Sequence, residues 1–339
     1  MRVARCPGIA ALADGVLGNL TVPAYAPAVA PTDGTGFARA SDPERAVILR
    51  GGPILTVDDA NPVGEALAIR GSTILEVGSL TEVKRHYTPG TEIVDLQGHA
   101  VLPGFVEPHV RVLAGALAAA GLGADGAGLF ASAPERVAEL GARALRECAM
   151  RGCTTVYDPA IGLLAGAAEH ELLRSLARAP DAPVRVRGAL TPELASSLGA
   201  APGGGDERYD VVGIAYWTDG SIEDFGAALG EPYLNGLGAG RLNHEEAELR
   251  EAMRVWHRAG WQLVVHATGD RAIEQVLRCY EAILSEDPPA RASHRIEHFA
   301  LARDEQIAKA AELGLSVSHA INQVYYRGEA FRDQVLGSE

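Results

Sequence analysis

From residue 101 onward, strand-like segments alternate with segments of helical periodicity. The strand candidates are seven apolar runs: VLPGFV, CTTVYDP, VRVRGAL, VVGIAYW, QLVVHA, HRIEHFA and GLSVSHA. Strands separated by helices pair in parallel, because each helix carries the chain back to the edge where the next strand begins. The seven units predict an α/β domain over residues 101–339. We expect a (β/α)8 TIM-type barrel that lacks its eighth strand.

The helices between these strands have recognisable ends. Asn243 is predicted as an N-cap, because Glu246 follows three residues later, and Gly260 is predicted to end the same helix. A second helix is predicted over about 134–152, and a third follows Asp270. These segments would cover the outside of the sheet.

The N-terminal part of the chain has a different pattern. Residues 46–100 contain short Val-, Ile- and Leu-rich runs broken by Gly-Gly, Arg-Gly-Ser and Gln-Gly turns, which predict a small β-sandwich part. Residues 1–45 are rich in Ala, Pro and Gly and are predicted to be a flexible extension. Pro7, Asp14 and Asn19 interrupt its apolar segment, which disfavours a secretion signal.

Composition limits the partners that the chain can have. A net charge of −14, with no compensating Lys/Arg cluster, disfavours a nucleic-acid surface. No apolar run approaches the roughly 20 residues that a membrane-spanning helix needs. The cysteines are scattered without a CxxC pair, which predicts a reducing, cytoplasmic location. They are Cys6, Cys148, Cys153 and Cys279.

Histidines follow several of the predicted strands. In barrels of this type the functional residues lie at the carboxyl ends of the strands. Imidazoles on neighbouring strand ends can converge on one zinc ion, because each binds through one ring nitrogen while the other nitrogen is held by an acceptor. The histidines at strand ends are His109, His266, His298 and His319, whereas His86, His170, His244 and His257 are predicted to be solvated.

Five motifs in order carry a family resemblance. They are LPGFVEPHVRVL, YWTDGSIEDFGAALGEPY, VVHATGDRAIEQVL, HRIEHFAL and VSHAINQVYYRGEAFRDQVLG. Over about 46–339 the chain resembles the YtcJ-like branch of the metal-dependent amidohydrolase superfamily, to which N-substituted formamide deformylase belongs. The resemblance implies a TIM barrel with a small β-sandwich, zinc or another divalent metal, and hydrolysis of a non-peptide C–N bond in a small amide-type substrate.

Roles can be predicted for six individual residues, three from the resemblance and three from their local sequence. The resemblance implies His109, His266 and His298 as metal ligands. Asp219, in the DGS turn, is either a substitute catalytic base or an ordinary turn residue. Arg271 either orients a substrate carboxylate or pairs with Asp270, and His319 lines the substrate pocket or has no role there.

The same motifs depart from the family at positions that matter for a metal. Arg111 stands where the resemblance implies a second histidine, Ala215 where it implies a bridging lysine, and Gln323 where it implies another histidine. The aspartate implied after the eighth strand would lie beyond Glu339. A guanidinium offers only N–H groups and a fixed positive charge, so an inward-pointing Arg111 would disfavour a catalytic metal.

Three interpretations remain open from the sequence. The chain is a metal-dependent amidohydrolase, or a catalytically impaired relic or interaction subunit of the same family, or a fragment of a longer reading frame. In each case the missing eighth strand would leave a sheet edge open. We therefore expect self-association or a partner that covers this edge.

Overall fold

The computed structural model describes residues 45–123, 126–234, 236, 238–288 and 294–337. The described residues fall into two compact units, one within Asp14–Gly104 and the other within Phe105–Glu339. The predicted extension over residues 1–45 lies outside the described residues except for Arg45.

The Asp14–Gly104 unit contains one mixed sheet in the order β3-β2-β1-β4. The strands are β1 (Ala46–Leu55), β2 (Val63–Arg70), β3 (Thr73–Gly78) and β4 (Glu92–Asp95). Strands β1, β2 and β3 are antiparallel neighbours, and β4 runs parallel to β1. A short helix, α1 (Leu80–Val83), and a 3-10 turn (Lys84–His86) connect β3 to β4.

This sheet has apolar residues on both faces. Ile48 and Ala68 pack with Val83 of α1 on one face, and Leu49 and Leu67 pack on the other. Residues that alternate along a strand face opposite sides, so each face acquires its own cluster. The sequence predicts a β-sandwich part here. In the described residues of this unit we find one layer of strands and no second sheet facing it.

The Phe105–Glu339 unit is built on a parallel seven-stranded sheet in the order β11-β10-β9-β8-β7-β6-β5. The prediction of seven parallel strands in chain order is confirmed. The strands are β5 (Phe105–Glu107), β6 (Cys153–Ile161), β7 (Arg185–Leu190), β8 (Tyr209–Trp217), β9 (Gln262–Ala267), β10 (Arg295–His298) and β11 (Ser316–Ser318).

Helices follow the strands, as the alternating pattern predicts. They are α2 (Val112–Ala119), α3 (Gly126–Ser132), α4 (Pro134–Met150), α5 (Ala167–Arg178), α6 (Pro192–Leu198), α7 (Glu246–Arg258), α8 (Asp270–Glu286), α9 (Asp304–Glu312) and α10 (Ile321–Ala330), with a π-helical turn at Phe331–Leu336. No helix in the described ranges is long and apolar enough to cross a membrane.

The two faces of the parallel sheet are covered differently. Ile214 of β8 packs in a large cluster that includes Leu249 of α7 and Tyr280 of α8. Its neighbour Ala215 faces the other way and packs in a cluster of strand residues, among them Val264. Because side chains alternate along a strand, the helices cover one face and the second face forms an inner layer of strand side chains.

The start of α7 differs from the prediction. The helix begins at Glu246, with Glu245 at the N-cap, so the prediction of Asn243 as N-cap is wrong. The Asn243 amide instead donates hydrogen bonds to the carbonyls of Trp217 and Asp219, both at 3.2 Å. These bonds hold the loop before α7 against the end of β8. Gly260 has a φ of 84° and ends the helix as predicted.

The prediction that His257 is solvated is also wrong. His257 lies one turn after Met253 on the buried side of α7 and is only 8% exposed. Its Nδ1 lies 2.8 Å from His294 Nε2, and its Nε2 lies 2.6 Å from the carbonyl oxygen of Asp287. A histidine can be buried when both ring nitrogens have partners, and the sequence pattern of α7 does not reveal these partners.

Candidate active site

Three histidines meet at the carboxyl ends of the strands. His109 follows β5, His266 lies near the end of β9, and His298 ends β10. The ring centroid of His298 is 4.8 Å from that of His109 and 4.6 Å from that of His266. We call these residues the histidine cluster. The structure therefore brings together the three residues that the resemblance implies as ligands.

The backbone is strained beside the histidine cluster. His298 has a φ of 70°, and the next residue, Phe299, has a φ of 46°. Residues other than glycine rarely adopt this left-handed conformation, which costs about 1–3 kcal/mol for each residue. The strain turns the chain sharply at the end of β10, where the His298 ring meets its two neighbours.

An acidic side chain fixes the orientation of His109. The Nδ1 of His109 lies 2.5 Å from Oε2 of Glu297, and Oε1 of Glu297 lies 2.6 Å from Nε of Arg295. Burial opposes ionisation of Glu297, but the bonds from His109 and Arg295 outweigh it and hold its pKa below the ordinary value. The ionised carboxylate accepts from Nδ1–H, so Nε2 is the ring nitrogen of His109 that Glu297 does not bind.

His266 is held by oxygen atoms on one side of its ring. Its Nε2 lies 3.3 Å from the Gly220 carbonyl oxygen, 3.1 Å from Thr268 Oγ1 and 3.5 Å from Asp219 Oδ1. Burial, followed by the charge of His298, lowers the pKa of His266 to about 3. Burial, followed by the charge of His109, lowers the pKa of His298 to about 4. Both rings are therefore neutral at pH 7.

Asp219 lies beside the cluster, but its carboxylate accepts hydrogen bonds from the main chain. It is 2% exposed and accepts the N–H groups of Ala228 at 3.0 Å, Thr268 at 3.0 Å and Gly269 at 2.8 Å. Burial raises the pKa of Asp219 to about 7, while these three bonds act in the opposite direction. Both carboxylate oxygens thus tie the loop after β8 to the start of α8. The catalytic role of Asp219 stays a prediction.

The two predicted substrate-binding residues contact partners outside the histidine cluster, and their roles stay predictions. Arg271 Nη1 donates to the Leu229 carbonyl at 3.4 Å, and Asp270 pairs with Arg303 at 2.9 Å rather than with Arg271. The His319 ring lies 6.1 Å from that of Phe299 and lines a cavity of about 340 Å³. In the described part of the chain, no hydrogen bond or ring contact joins Arg271 or His319 to the histidine cluster.

Arg111 is the departure from the family with the clearest structural effect. It is the residue before α2, and its Nη2 atom is buried with no hydrogen-bond partner. Its positive charge contributes to the lowered pKa of His266. It also opposes the rise that burial causes in the pKa of Asp158. The guanidinium therefore belongs to the surroundings of the histidine cluster.

Sequence reasoning missed three charged residues near this centre. Asp158 is 1% exposed and accepts the N–H groups of Val112 at 2.9 Å and Ala160 at 3.1 Å. Glu297 and Arg295 form the ion pair beside His109. The available signal was a charged residue inside an apolar strand run, as in CTTVYDP and HRIEH.

The side chains at this centre do not fit the divalent metal that the resemblance implies. Among the described residues, no three His, Cys, Asp or Glu side chains form a group that could hold an ion. One ring nitrogen each of His109 and His266 is bound to protein oxygens. Ala215 offers no ligand atom, and the positive charge of Arg111 acts on His266, one of the implied ligands.

The fold is that of metal-dependent hydrolases. The crystal structure of an uncharacterized metal-dependent hydrolase from Pyrococcus furiosus superposes with a TM-score of 0.73 and 18% identity, covering 86% of this chain and 80% of that one. The profile of Amidohydro_3, the amidohydrolase family, matches residues 111–339, which is more than half of the chain. The chain belongs to the amidohydrolase family, and the predicted superfamily is confirmed.

Curated relatives match over shorter stretches. Protein LONG AFTER FAR-RED 3 of Arabidopsis thaliana is 36% identical over 80 residues, which are 24% of this chain and 14% of that protein. N-substituted formamide deformylase of Arthrobacter pascens is 35% identical over 65 residues, which are 19% of this chain and 12% of that protein. The matches thus span less than a sixth of either relative.

Proposed function

We propose that this chain is a hydrolase that cleaves a non-peptide C–N bond in a small amide, formamide or cyclic imide, with its reaction centre at the histidine cluster. The observation that carries the proposal is the convergence of His109, His266 and His298 at the carboxyl edge of the sheet. Membership of the amidohydrolase family supports the reaction class. The partial match to N-substituted formamide deformylase supports the formamide as a substrate.

The chain's own residues supply two of the functions that such a reaction needs. Glu297 holds His109 so that its Nε2 can accept a proton or a hydrogen bond. The oxygen atoms around Nε2 of His266 hold that ring in place. Zinc is part of the proposal only through the family. We assign no step to a metal, because the described side chains do not fit one.

A second candidate function is a non-catalytic member of the family that binds a small molecule without a metal. The specific observation in its favour is the buried, unpartnered Nη2 of Arg111, together with the apolar surroundings of Ala215. A guanidinium near neutral imidazoles suits an anionic or carbonyl oxygen better than a cation. Under this candidate the barrel retains a binding pocket and has lost hydrolysis.

We extend the proposal to the architecture and surroundings of the chain. The seven-stranded sheet would be a (β/α)8 barrel that lacks its eighth strand, and a second copy or a partner would cover the open edge. A reducing, cytoplasmic location agrees with Cys148, Cys153 and Cys279, which are free thiols.

Hydrolysis of formanilide and acetanilide tests the two candidates. Aniline release would be measured for the protein as purified and after addition of Zn²⁺, with the metal content determined on the same sample. The hydrolase candidate predicts release that His298→Ala abolishes and His86→Ala leaves unchanged, since His86 lies in the other unit and pairs with Glu76. Release that is absent under both conditions, or that persists in His298→Ala, would contradict it.

A further inference from the structure

The guanidinium of Arg111 has an unused donor inside the protein. Its Nη2 is shielded from solvent and has no acceptor, although the residue as a whole is partly exposed and so can be reached by a ligand. No ion pair involving Arg111 occurs within the described ranges. A buried N–H group without a partner is costly, so native proteins generally supply an acceptor from the chain, from water or from a ligand. The acceptor for Arg111 is missing from the described side chains.

The acidic side chains around this centre are already occupied. The charge of Arg111 acts to lower the pKa of Asp158, but the two carboxylate oxygens of Asp158 accept the main-chain N–H groups of Val112 and Ala160. Glu297 is bound by His109 and Arg295. The protein therefore places a guanidinium at the carboxyl edge of the sheet without directing a carboxylate at its Nη2.

The histidine cluster provides ring nitrogens close to Arg111 along the chain and in space. His109 lies two residues before Arg111, and the ring centroid of His298 is 4.8 Å from that of His109 and 4.6 Å from that of His266. Imidazole nitrogens that are not bound to protein can accept or donate a hydrogen bond to a ligand amide. An organic molecule that carries both an amide and a carboxylate would match a centre with one guanidinium and several imidazole nitrogens.

We propose that Arg111 binds the carboxylate of the ligand, so that this centre takes small molecules bearing both a carboxylate and an amide. A guanidinium suits this task, because its planar set of N–H donors matches the two oxygens of a carboxylate. This substrate class rests on the proposed function, because it concerns the same site at the histidine cluster. Binding can be measured without turnover, so the two proposals fail separately.

Paired probes test this assignment by calorimetry. N-acetylglycine carries the carboxylate, and N-acetylglycinamide is its neutral counterpart of similar size. The protein as purified is expected to bind N-acetylglycine about tenfold more tightly than the neutral probe, and Arg111→Gln is expected to remove that preference. Equal binding of the two probes by the original protein, or a preference that survives in Arg111→Gln, would overturn the proposal.

A matched variant separates a local contact from a general charge effect. Arg143→Gln removes the same charge from a side chain that is 72% exposed on α4, and it is expected to keep the preference for N-acetylglycine. Loss of the preference in both variants would mean that net charge alone attracts the anion. The unfolding temperature of each variant, recorded alongside, identifies any loss of binding caused by unfolding.

A metal ion is the alternative binding partner for the ligand carboxylate, and removing metals by chelation distinguishes it from Arg111. The titrations would be repeated after treatment with EDTA and dialysis. Under the proposal, the preference for N-acetylglycine is unchanged by chelation and depends on Arg111. A preference that disappears with EDTA and returns with Zn²⁺ would assign the carboxylate to a metal and would overturn the role of Arg111.

Discussion

A guanidinium N–H that is buried without an acceptor lowers stability, and a side chain of similar length without polar atoms avoids this cost. We expect Arg111→Met to raise the free energy of unfolding by about 1 kcal/mol, because Nη2 of Arg111 has no partner in the fold. Urea unfolding would measure the change, with Arg143→Met as an exposed control that stays within about 0.5 kcal/mol. A destabilised Arg111→Met variant would indicate that the guanidinium has a structural partner.

Asp219 offers a second test at the scale of one residue. Its two oxygens accept three main-chain N–H groups, whereas an Asn amide has one oxygen and would turn an NH₂ group toward donors. We expect Asp219→Asn to lower the free energy of unfolding by about 2–3 kcal/mol. Asp181→Asn, at an exposed position, is the control and should change little. An Asp219→Asn variant of unchanged stability that loses only catalysis would favour a catalytic base instead.

The residues of the candidate site differ in how far the sequence could predict them. His109, His266 and His298 stand at strand ends within recognisable motifs, so their convergence could be predicted. Glu297 could not be predicted as the partner of His109, because 188 residues separate the two and the contact depends on strand register. The buried donor of Arg111 likewise depends on which way a loop residue points, and a single sequence does not specify this.

At the scale of secondary structure, periodicity predicted the seven strands and the bodies of α4, α7 and α8, because each buries one face at a regular spacing. Capping and long-range contacts were harder to predict. Asn243 has the right residue type for an N-cap, but its side-chain amide donates a hydrogen bond to the carbonyl of Trp217 at the end of β8. His257 lies in a segment of helical periodicity. It can be buried because both ring nitrogens have partners outside α7, His294 and Asp287.

The contact between α7 and the start of β10 predicts a pH dependence. The Leu263 N–H donates to His294 Nδ1 at 3.1 Å, so Nε2–H of His294 donates to Nδ1 of His257 at 2.8 Å, and His257 in turn donates to the Asp287 carbonyl. This order of donors requires the His294 ring to be neutral. The Tyr280 ring stacks on His294.

Protonation of His294 would break this chain of bonds. Burial, followed by the charge of His257, lowers the pKa of His294 to about 4, below the unfolded value of about 6.5. A histidine with a lowered folded pKa contributes stability above about pH 6.5, and this contribution is lost as the pH falls toward 4. We expect a loss of about 3 kcal/mol over that interval from this group.

Unfolding in urea at a series of pH values measures this loss. His294→Phe retains an aromatic ring against Tyr280 but cannot titrate, so its stability should be lower at pH 7 and fall less between pH 6.5 and pH 4. His86→Phe, in the other unit, is the control for removal of one histidine. Equal pH profiles for the original protein and His294→Phe would show that another group governs the acid response.

At the scale of the whole molecule, the parallel sheet has two edges that no described strand covers. In the part of the chain that the structure describes, β5 pairs only with β6, and β11 pairs only with β10. Apolar side chains are exposed at both edges: Phe105 is 53% exposed, Val106 61% and Val317 40%. Unpaired strands with exposed apolar side chains are templates for pairing with another chain.

We therefore expect this chain to self-associate in a concentration-dependent way, which sedimentation velocity would detect. Val106→Lys and Val317→Lys place a charge at each edge and should shift the population toward monomer, because desolvating a lysine opposes strand pairing. Val255→Lys is the matched control, since Val255 is 65% exposed on α7, away from both edges. A population that is monomeric at every concentration would mean that the edges are protected within one chain, and equal effects of all three lysines would place the contact elsewhere.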